Sequence, residues 1–275
     1  MVVLGGRTVE WTKDAENAVK KIPFFVRKKV RVRIETQVME TGKKTVTLAD
    51  VKTAQKRYLQ KMSEEIKGYQ IDTCFGPGGC PNRTVPSEKL LERVEEIIAA
   101  EDLLSFLKHH VQGDLKYHHE FRITLAECPN ACSQPQIKDI GVIAALVPGV
   151  TDEVCTACKA CVETCPDKCI QLKGTPEKPE IDMGRCMSCG KCVGVCPTQT
   201  IRERKKGFRV LLGGKLGRHP RLAMELPGVY TEKKVLDIIH YCITFYKRNS
   251  RNGQRFAQIF KKSDFDFLVK TLEHD

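Results

Sequence analysis

The sequence predicts an α+β protein: a small all-α domain over residues 1–66, then a domain of strands and helices over 67–150 and 204–275, interrupted by a cysteine-rich module at 151–203. Three observations predict this. The first 66 residues lack cysteine and show helical periodicity and capping signals. Residues 151–203 repeat themselves, each half carrying a four-cysteine run, a proline and a short apolar stretch. Strand-like apolar runs leading into loops and helical stretches stand on both sides of that duplication.

Within 1–66, Thr12 caps a short helix through about residue 20, and Pro23 admits a second over 24–40 that Gly42 ends. Phe25, Val26, Val30, Ile34 and Val38 keep approximate helical spacing along it. Thr47-Leu-Ala-Asp50 reads as a capping box for a third helix to about residue 62. Trp11, Phe24, Phe25 and Tyr58 are the aromatics here, at a spacing that fits a core. Arg27, Lys28, Lys29, Arg31 and Arg33 read as a solvated or docking face of a segment with net charge +7. The next block opens with the glycine-rich Cys74-Phe-Gly-Pro-Gly-Gly-Cys80, continues with a helix over about 87–106, and then a strand, 121–125, running into Cys128. A second strand is expected at 139–146. After the duplication, 208–212 resumes strand character and enters the basic loop Gly213-Gly-Lys-Leu-Gly-Arg-His-Pro-Arg221. Helices at about 231–247, capped by Thr231, and 253–271 close the chain.

No run of eighteen apolar residues is present, and residues 1–7 lack a basic segment leading into an apolar one, so neither a membrane span nor a leader is expected. A cytoplasmic location is the resulting expectation, and there fourteen cysteines at regular spacings point to metal rather than disulfides. The net charge of +12 admits nucleic acid, an anionic cofactor or an acidic redox partner. The core-like spacing of the aromatics in the basic segment argues against nucleic acid.

The duplicated module reads Cys155-x2-Cys158-x2-Cys161-x3-Cys165-Pro166 and Cys186-x2-Cys189-x2-Cys192-x3-Cys196-Pro197. In such runs three thiolates wrap one [4Fe–4S] cluster and the fourth ligates the other. Cys155, Cys158, Cys161 and Cys196 are therefore expected to hold one cluster, and Cys186, Cys189, Cys192 and Cys165 the second. Zinc sites use two C-x2-C knuckles rather than two runs of four with a trailing proline. The region resembles a bacterial-type two-cluster ferredoxin. Cys169 stands where such modules usually carry alanine; it and Cys242 read as buried thiols.

Cys74-x5-Cys80 and Cys128-x3-Cys132, 47 residues apart, do not follow ferredoxin spacing and by themselves indicate a cluster or metal site. The stretch Ile123-Thr-Leu-Ala-Glu-Cys-Pro-Asn-Ala-Cys-Ser-Gln-Pro-Gln-Ile-Lys-Asp-Ile-Gly141 and the 213–223 loop resemble the sirohaem–[4Fe–4S] half-domain of nitrite and sulfite reductases, over about 67–270. Dissimilatory sulfite reductase subunits carry a ferredoxin inserted in the same half-domain. The resemblance implies a sirohaem-reductase half-domain interrupted by a ferredoxin-like two-cluster module. A third [4Fe–4S] cluster would sit on Cys74, Cys80, Cys128 and Cys132, with Cys132 also bridging to sirohaem. Lys215, Arg218 and Arg221, with Arg122 behind them, would meet the sirohaem carboxylates; Cys132, Arg122 and Lys215 would act at the reacting centre. Glu120 and Arg122 stand where sulfite-reducing members commonly carry a lysine pair, and Glu127 stands where glycine usually precedes the first cysteine of C-x3-C. His109, His110, His118 and His119 cluster ahead of that strand as candidate proton donors, though surface roles fit most of them.

Trp11 to Arg31, with Glu35, Gly42 and Val46-Thr47, resembles the small C-terminal domain of the larger polypeptide of light-independent protochlorophyllide reductase, its B component, over about 9–60. The expectation is thus an oxidoreductase of sulfite or nitrite reductase type. A low-potential donor would feed its two ferredoxin clusters, which pass electrons to a [4Fe–4S]–sirohaem centre that reduces a small oxyanion. A homo-oligomer or partner subunit would supply the second half-domain, with neither nucleic acid nor membrane involved. Two alternatives stay open: a non-catalytic electron-transfer subunit, and a reductase of another substrate with the same centre.

Overall fold

The computed structural model describes residues 9–273, apart from the side chains of 60–63; the expectation about a leader at 1–7 lies outside the described residues. Two compact units are present, one of residues 1–66 with 113–117, the other of 67–112 with 118–275.

In the first unit, α1 (Lys13–Lys20), α2 (Phe24–Glu40) and α3 (Leu48–Glu65) pack around Ala15, Val19, Ile34, Val38, Val46 and Val51. Thr12 caps α1 by accepting from Ala15 N, and Thr47 and Asp50 form a reciprocal box at α3. The all-α expectation needs correction, because β1 (Glu10–Trp11) pairs in parallel with β2 (Thr45–Val46) and pins the entering chain beside the α2–α3 turn. The aromatic core also needs correction. Phe24, Phe25 and Tyr58 are exposed, and of the four aromatics only Trp11 packs inward. The Trp11 indole donates to Glu35 (2.8 Å), and the Arg31 guanidinium lies 4.4 Å above its ring. Arg27 closes the C-terminus of α1 by donating to the carbonyls of Lys20 and Ile22. Two of the five expected surface cations are therefore structural, leaving Lys28, Lys29 and Arg33 exposed.

The second unit is built on a five-stranded sheet in the order β3 (Tyr69–Thr73), β4 (Phe121–Ala126), β5 (Ile140–Val150), β8 (Ile201–Leu212) and β9 (Met224–Glu225). The first three run parallel, and β8 is antiparallel to both its neighbours. Alternate residues serve opposite faces. Phe121, Ile123, Leu125, Ile140, Val142, Phe208 and Val210 join a large core with α4 (Glu88–Ala100), α5 (Leu103–His110), α8 (Glu232–Asn249), α9 (Phe256–Ile259) and α10 (Lys262–Glu273). Ala126, Ile143 and Leu211 face the other way, against Ala131 and Ala223. Covered on both faces, β4 is buried at every position but Arg122.

Two expected helices are broken. The 87–106 helix stops at Ala100, because Asp102 takes a left-handed conformation (φ 43°) and caps α5 by accepting from Ser105 N. Gly68 lies against the backbone of Leu103 and Leu104 at this break, where a Cβ would clash. The 253–271 helix breaks at Phe260, after which Asp264 caps α10 from Lys261 N (2.8 Å). Thr231 caps α8 as expected, accepting from Lys234 N.

The expected strands at 139–146 and 208–212 are the inner portions of a longer ribbon. β5 and β8 stay paired as far as Val150 and Ile201, past a bulge at Val147/Pro148. The ribbon carries the duplicated module at its far end: α6 (Ala160–Thr164), the β6 (Ile170–Lys173)–β7 (Lys178–Ile181) hairpin, and α7 (Lys191–Val195).

Candidate functional site

The module repeats in backbone as well as in sequence. Left-handed residues Ala157, Lys159 and Lys168 recur as Ser188, Gly190 and Gln199, each thirty-one positions on, the offset of the cysteines themselves. Two cavities result. One is lined by Cys155, Cys158, Cys161 and Cys196, the other by Cys165, Cys186, Cys189 and Cys192 together with a fifth cysteine, Cys169. The fourth cysteine of each run has crossed to the other run's cavity. The thiol environments repeat this grouping. Burial pushes Cys161 up, with Cys196 and Cys155 adding to the shift. Burial pushes Cys192 up to about 12, with Cys186, Cys189 and Cys165 adding. Like charges act this way only over short distances. Amides turn toward the sulfurs, Ala157 N to Cys155 (3.4 Å) and Ile201 N to Cys196 (3.4 Å). Soft sulfur donors beside N–H groups in apolar walls are what a cubane cluster requires. Among the described residues no three Cys, His, Asp or Glu side chains form a single-ion site.

The other four cysteines are assembled by sheet topology. β3 and β4 are parallel with Thr73 opposite Leu125, so both cysteine segments leave the sheet at the same end. Cys74 N donates to Leu125 O (3.1 Å), and the amides of Gly76 and Glu127 both point at Cys74 Sγ (3.3 Å each). Cys128 is buried; burial pushes its thiol up, and Cys74, Cys132 and Cys80 push the same way. Cys132 is exposed. The chain then crosses back over the sheet to β5, held by Thr124 Oγ1 to Ser133 O (3.3 Å) and Ser133 Oγ to Leu125 O (2.9 Å). Gly141 makes room for this crossing, because a Cβ there would strike Pro135.

Glu127 is buried, and it ties the two cysteine segments together. Its carboxylate accepts from Ser87 N (2.7 Å), Ser87 Oγ (2.9 Å) and Arg83 Nη2 (3.0 Å), with Arg83 Nε as an ion-pair partner at 2.6 Å, and Gly76 packs directly on it. Its carbonyl accepts from Thr84 N (2.7 Å). Glu120 is likewise buried, accepting from Lys67 N and Gln70 Nε2. Both glutamates that depart from the family pattern thus hold the framework. Sequence reasoning missed their partners, which lie 40 to 53 residues away.

The basic loop 213–221 lies beside the crossing segment, joined to it by Ala223 N to Gln136 O (2.8 Å). Mutual bonds between Lys215 and Arg221 (2.9 Å each) close it as a tight hairpin. Arg218 is exposed at its tip and Lys215 is half-buried. Arg221 is engaged inward, donating to Gly213 O (2.8 and 3.0 Å) and Phe260 O (3.1 Å). Asp139 links Arg122 to this hairpin, its carboxylate accepting from Arg122 N (3.0 Å) and its carbonyl from Gly213 N (2.8 Å). Burial pushes the Asp139 carboxyl up, against the opposing pull of Arg255 and Arg122. His109 and His110 are turned onto the α5 carbonyls of Ser105 and Phe106 (2.7 and 2.8 Å).

Comparison with known proteins follows the same division. Residues 11–55 match the proto-chlorophyllide reductase 57 kD subunit family. A 46-residue stretch is 56% identical to the B component of light-independent protochlorophyllide reductase from Chlorobium limicola, covering 17% of this chain and 8% of that one. Coenzyme F420-dependent sulfite reductase of Methanocaldococcus jannaschii is 28% identical over 204 residues, 73% of this chain and 30% of its own length. The chain therefore spans under a third of that relative. The crystal structure of dissimilatory sulfite reductase I aligns over 78% of this chain and 56% of its own, with a TM-score of 0.47 and 15% identity. No helix among the described residues is long and apolar enough to cross a membrane. Residues 66–275 match the nitrite and sulphite reductase 4Fe-4S domain, a span that takes in both outer cysteine pairs, the basic hairpin and the module between them, and the chain belongs to that family.

Proposed function

We propose that this protein is an iron–sulfur oxidoreductase in which the two cavities of the module hold [4Fe–4S] clusters and pass electrons to a third on Cys74, Cys80, Cys128 and Cys132, coupled through Cys132 to sirohaem. The observation that carries this reading is the contact between the cysteine sets. Thr84, four residues after Cys80, donates its hydroxyl to Cys189 O (3.2 Å), and Leu146 of β5 bonds Ser188 O (2.8 Å) and pairs with Cys189. The set containing Cys189 is therefore the inner one, and the set containing Cys155 is the entry point for a low-potential donor.

Bound, the cubanes carry single electrons and sirohaem supplies the iron at which sulfite or a related oxyanion is reduced. The chain's own contribution is position and charge. Cys132, the exposed thiol of its set, is the one available to a group lying outside the sheet. Arg218 and Lys215 bring positive charge to the same side for carboxylates or an oxyanion, while Arg221 keeps their hairpin folded. Small apolar side chains, Ala126, Ala131 and Ala223, occupy the adjoining face. A second half-domain, from another copy or a partner subunit, completes the pocket.

The inward engagement of Arg221 favours a second reading, an electron-transfer subunit with the same clusters and no turnover of its own. Anaerobically purified protein separates the two. About twelve irons per chain with a sirohaem Soret band, and loss of haem–cluster coupling in Cys132→Ser, are expected for the catalytic reading. About twelve irons without a haem band would leave the second reading, and about eight would sink the third cluster and both readings with it.

A further inference from the structure

The two halves of the module differ in the side chains that stand beside the fourth cysteine of each run. At the thirty-one-residue offset, Cys169 corresponds to Thr200 and Asp167 to Thr198. In the second half, Thr200 is fully buried and shares a hydrogen bond with Thr198 (2.8 Å), whose hydroxyl lies 3.8 Å from Cys196 Sγ. In the first half that pair of hydroxyls is replaced. The Cys169 thiol, 5% exposed, lies 3.4 Å from Cys165 Sγ. Its backbone is fixed on the β6–β7 hairpin by Asp182 N to Cys169 O (2.8 Å) and the Ile170–Ile181 pairing.

We propose that Cys169 is a positioning residue that donates an S–H hydrogen bond to the Cys165 ligand and so raises the reduction potential of the inner cluster. This rests on the cluster reading above. Between free thiols either sulfur can donate, but a ligating cysteine is a thiolate and can only accept, so the proton belongs to Cys169. A hydrogen bond to a ligating sulfur offsets the negative charge added on reduction, and such bonds are among the groups that set a cluster's potential. Cys155, Cys158, Cys161 and Cys196 would hold one cluster of the module and Cys165, Cys186, Cys189 and Cys192 the other; the second would gain the single electron that the first gives up, with the Cys169 proton staying in place. The thiol would thus keep the Cys189 cluster, the one at the junction with Thr84, reducible by the Cys155 cluster.

The test is a potentiometric titration of the full chain, followed by electron paramagnetic resonance, for the wild type, Cys169→Ala and Cys169→Ser, with iron counted in each. The expected result is that one of the two module midpoints falls in Cys169→Ala, by about threefold to tenfold in the reduced fraction at fixed potential (tenfold being about 59 mV for one electron). The other midpoint stays, iron content stays, and Cys169→Ser, which keeps a donor, recovers most of the shift. Unchanged midpoints overturn the proposal. An equal fall in both variants also overturns it, because packing alone would then explain the change. Loss of about four irons in Cys169→Ala and Cys169→Ser makes Cys169 a ligand and overturns it too. A wild type without two cubanes in the module sinks the cluster reading itself, an outcome visible before any variant is made.

Discussion

The two cysteine arrays are gathered by different physics. In the module, short spacings and repeated left-handed turns aim four thiols at a cavity from within a run of about ten residues plus one crossing partner. In the outer array, the pairs are 47 residues apart and meet only because β3 and β4 lie parallel and in register, with the helices α4 and α5 spanning the connection. The first arrangement is largely local and is expected to survive loss of a ligand in the second. The second depends on the whole sheet and on one buried carboxylate, Glu127.

Removing a ligand from each array gives the largest effect and the sharpest contrast. Cys128→Ser should lose the outer cluster entirely, about four irons, while the module keeps about eight. The contrast breaks if that variant also empties the module, as seen by iron analysis and the reduced-state spectrum.

Glu127→Ala comes next. It leaves the Ser87 amide and hydroxyl without their buried acceptor, while Arg83 keeps Glu88, a loss of about 2 kcal/mol. Urea unfolding of the second unit should shift to lower denaturant, and the outer cluster should leave first because the 74–80 loop loses its anchor on the Cys128 segment. A midpoint equal to wild type would mean that the two segments are held by something other than this carboxylate.

The smallest effect lies outside both arrays and serves as a control. Thr47→Ala removes one hydroxyl from the α3 capping box and should cost about 1 kcal/mol, confined to the first unit, with all clusters retained. Thr47 and then Lys43 lower the pKa of Asp50 in the same box from the ordinary 3.8 to about 2. A depressed carboxylate contributes its full stabilisation above the unfolded value. Thermal stability of the first unit should therefore fall as pH drops from 3.8 toward about 2, and this fall should shrink in Thr47→Ala.

Much of this is legible in the sequence. The caps at Thr12, Thr47 and Thr231 stand where local hydrogen-bonding logic put them, because a cap is decided within four residues. The breaks at Asp102 and Phe260 were not legible. Helical periodicity continues through both, and the first is imposed by the close passage of Gly68, a residue distant in sequence. Phe24 and Phe25 show the opposite error, since their spacing suits a core that the fold placed on the other side of α2. The sheet ribbon was underestimated for a related reason. The charged stretch 202–206 looks unlike a strand, yet it pairs with β5 through backbone hydrogen bonds that side-chain polarity does not forbid.

By itself the sequence determined where the cysteines stand and how they repeat, proposed how the module's eight thiols divide into two crossed sets, and placed the helix caps. Those outcomes depend on spacing and on hydrogen bonds between near neighbours. Only the tertiary structure decided that Cys74 meets Cys128, that Glu120 and Glu127 are framework rather than substrate-facing charges, that Arg221 turns inward, and that the Cys189 set is the one touching Thr84. Each of these depends on strand order and register, a cooperative property of the whole sheet that no single stretch of the chain encodes.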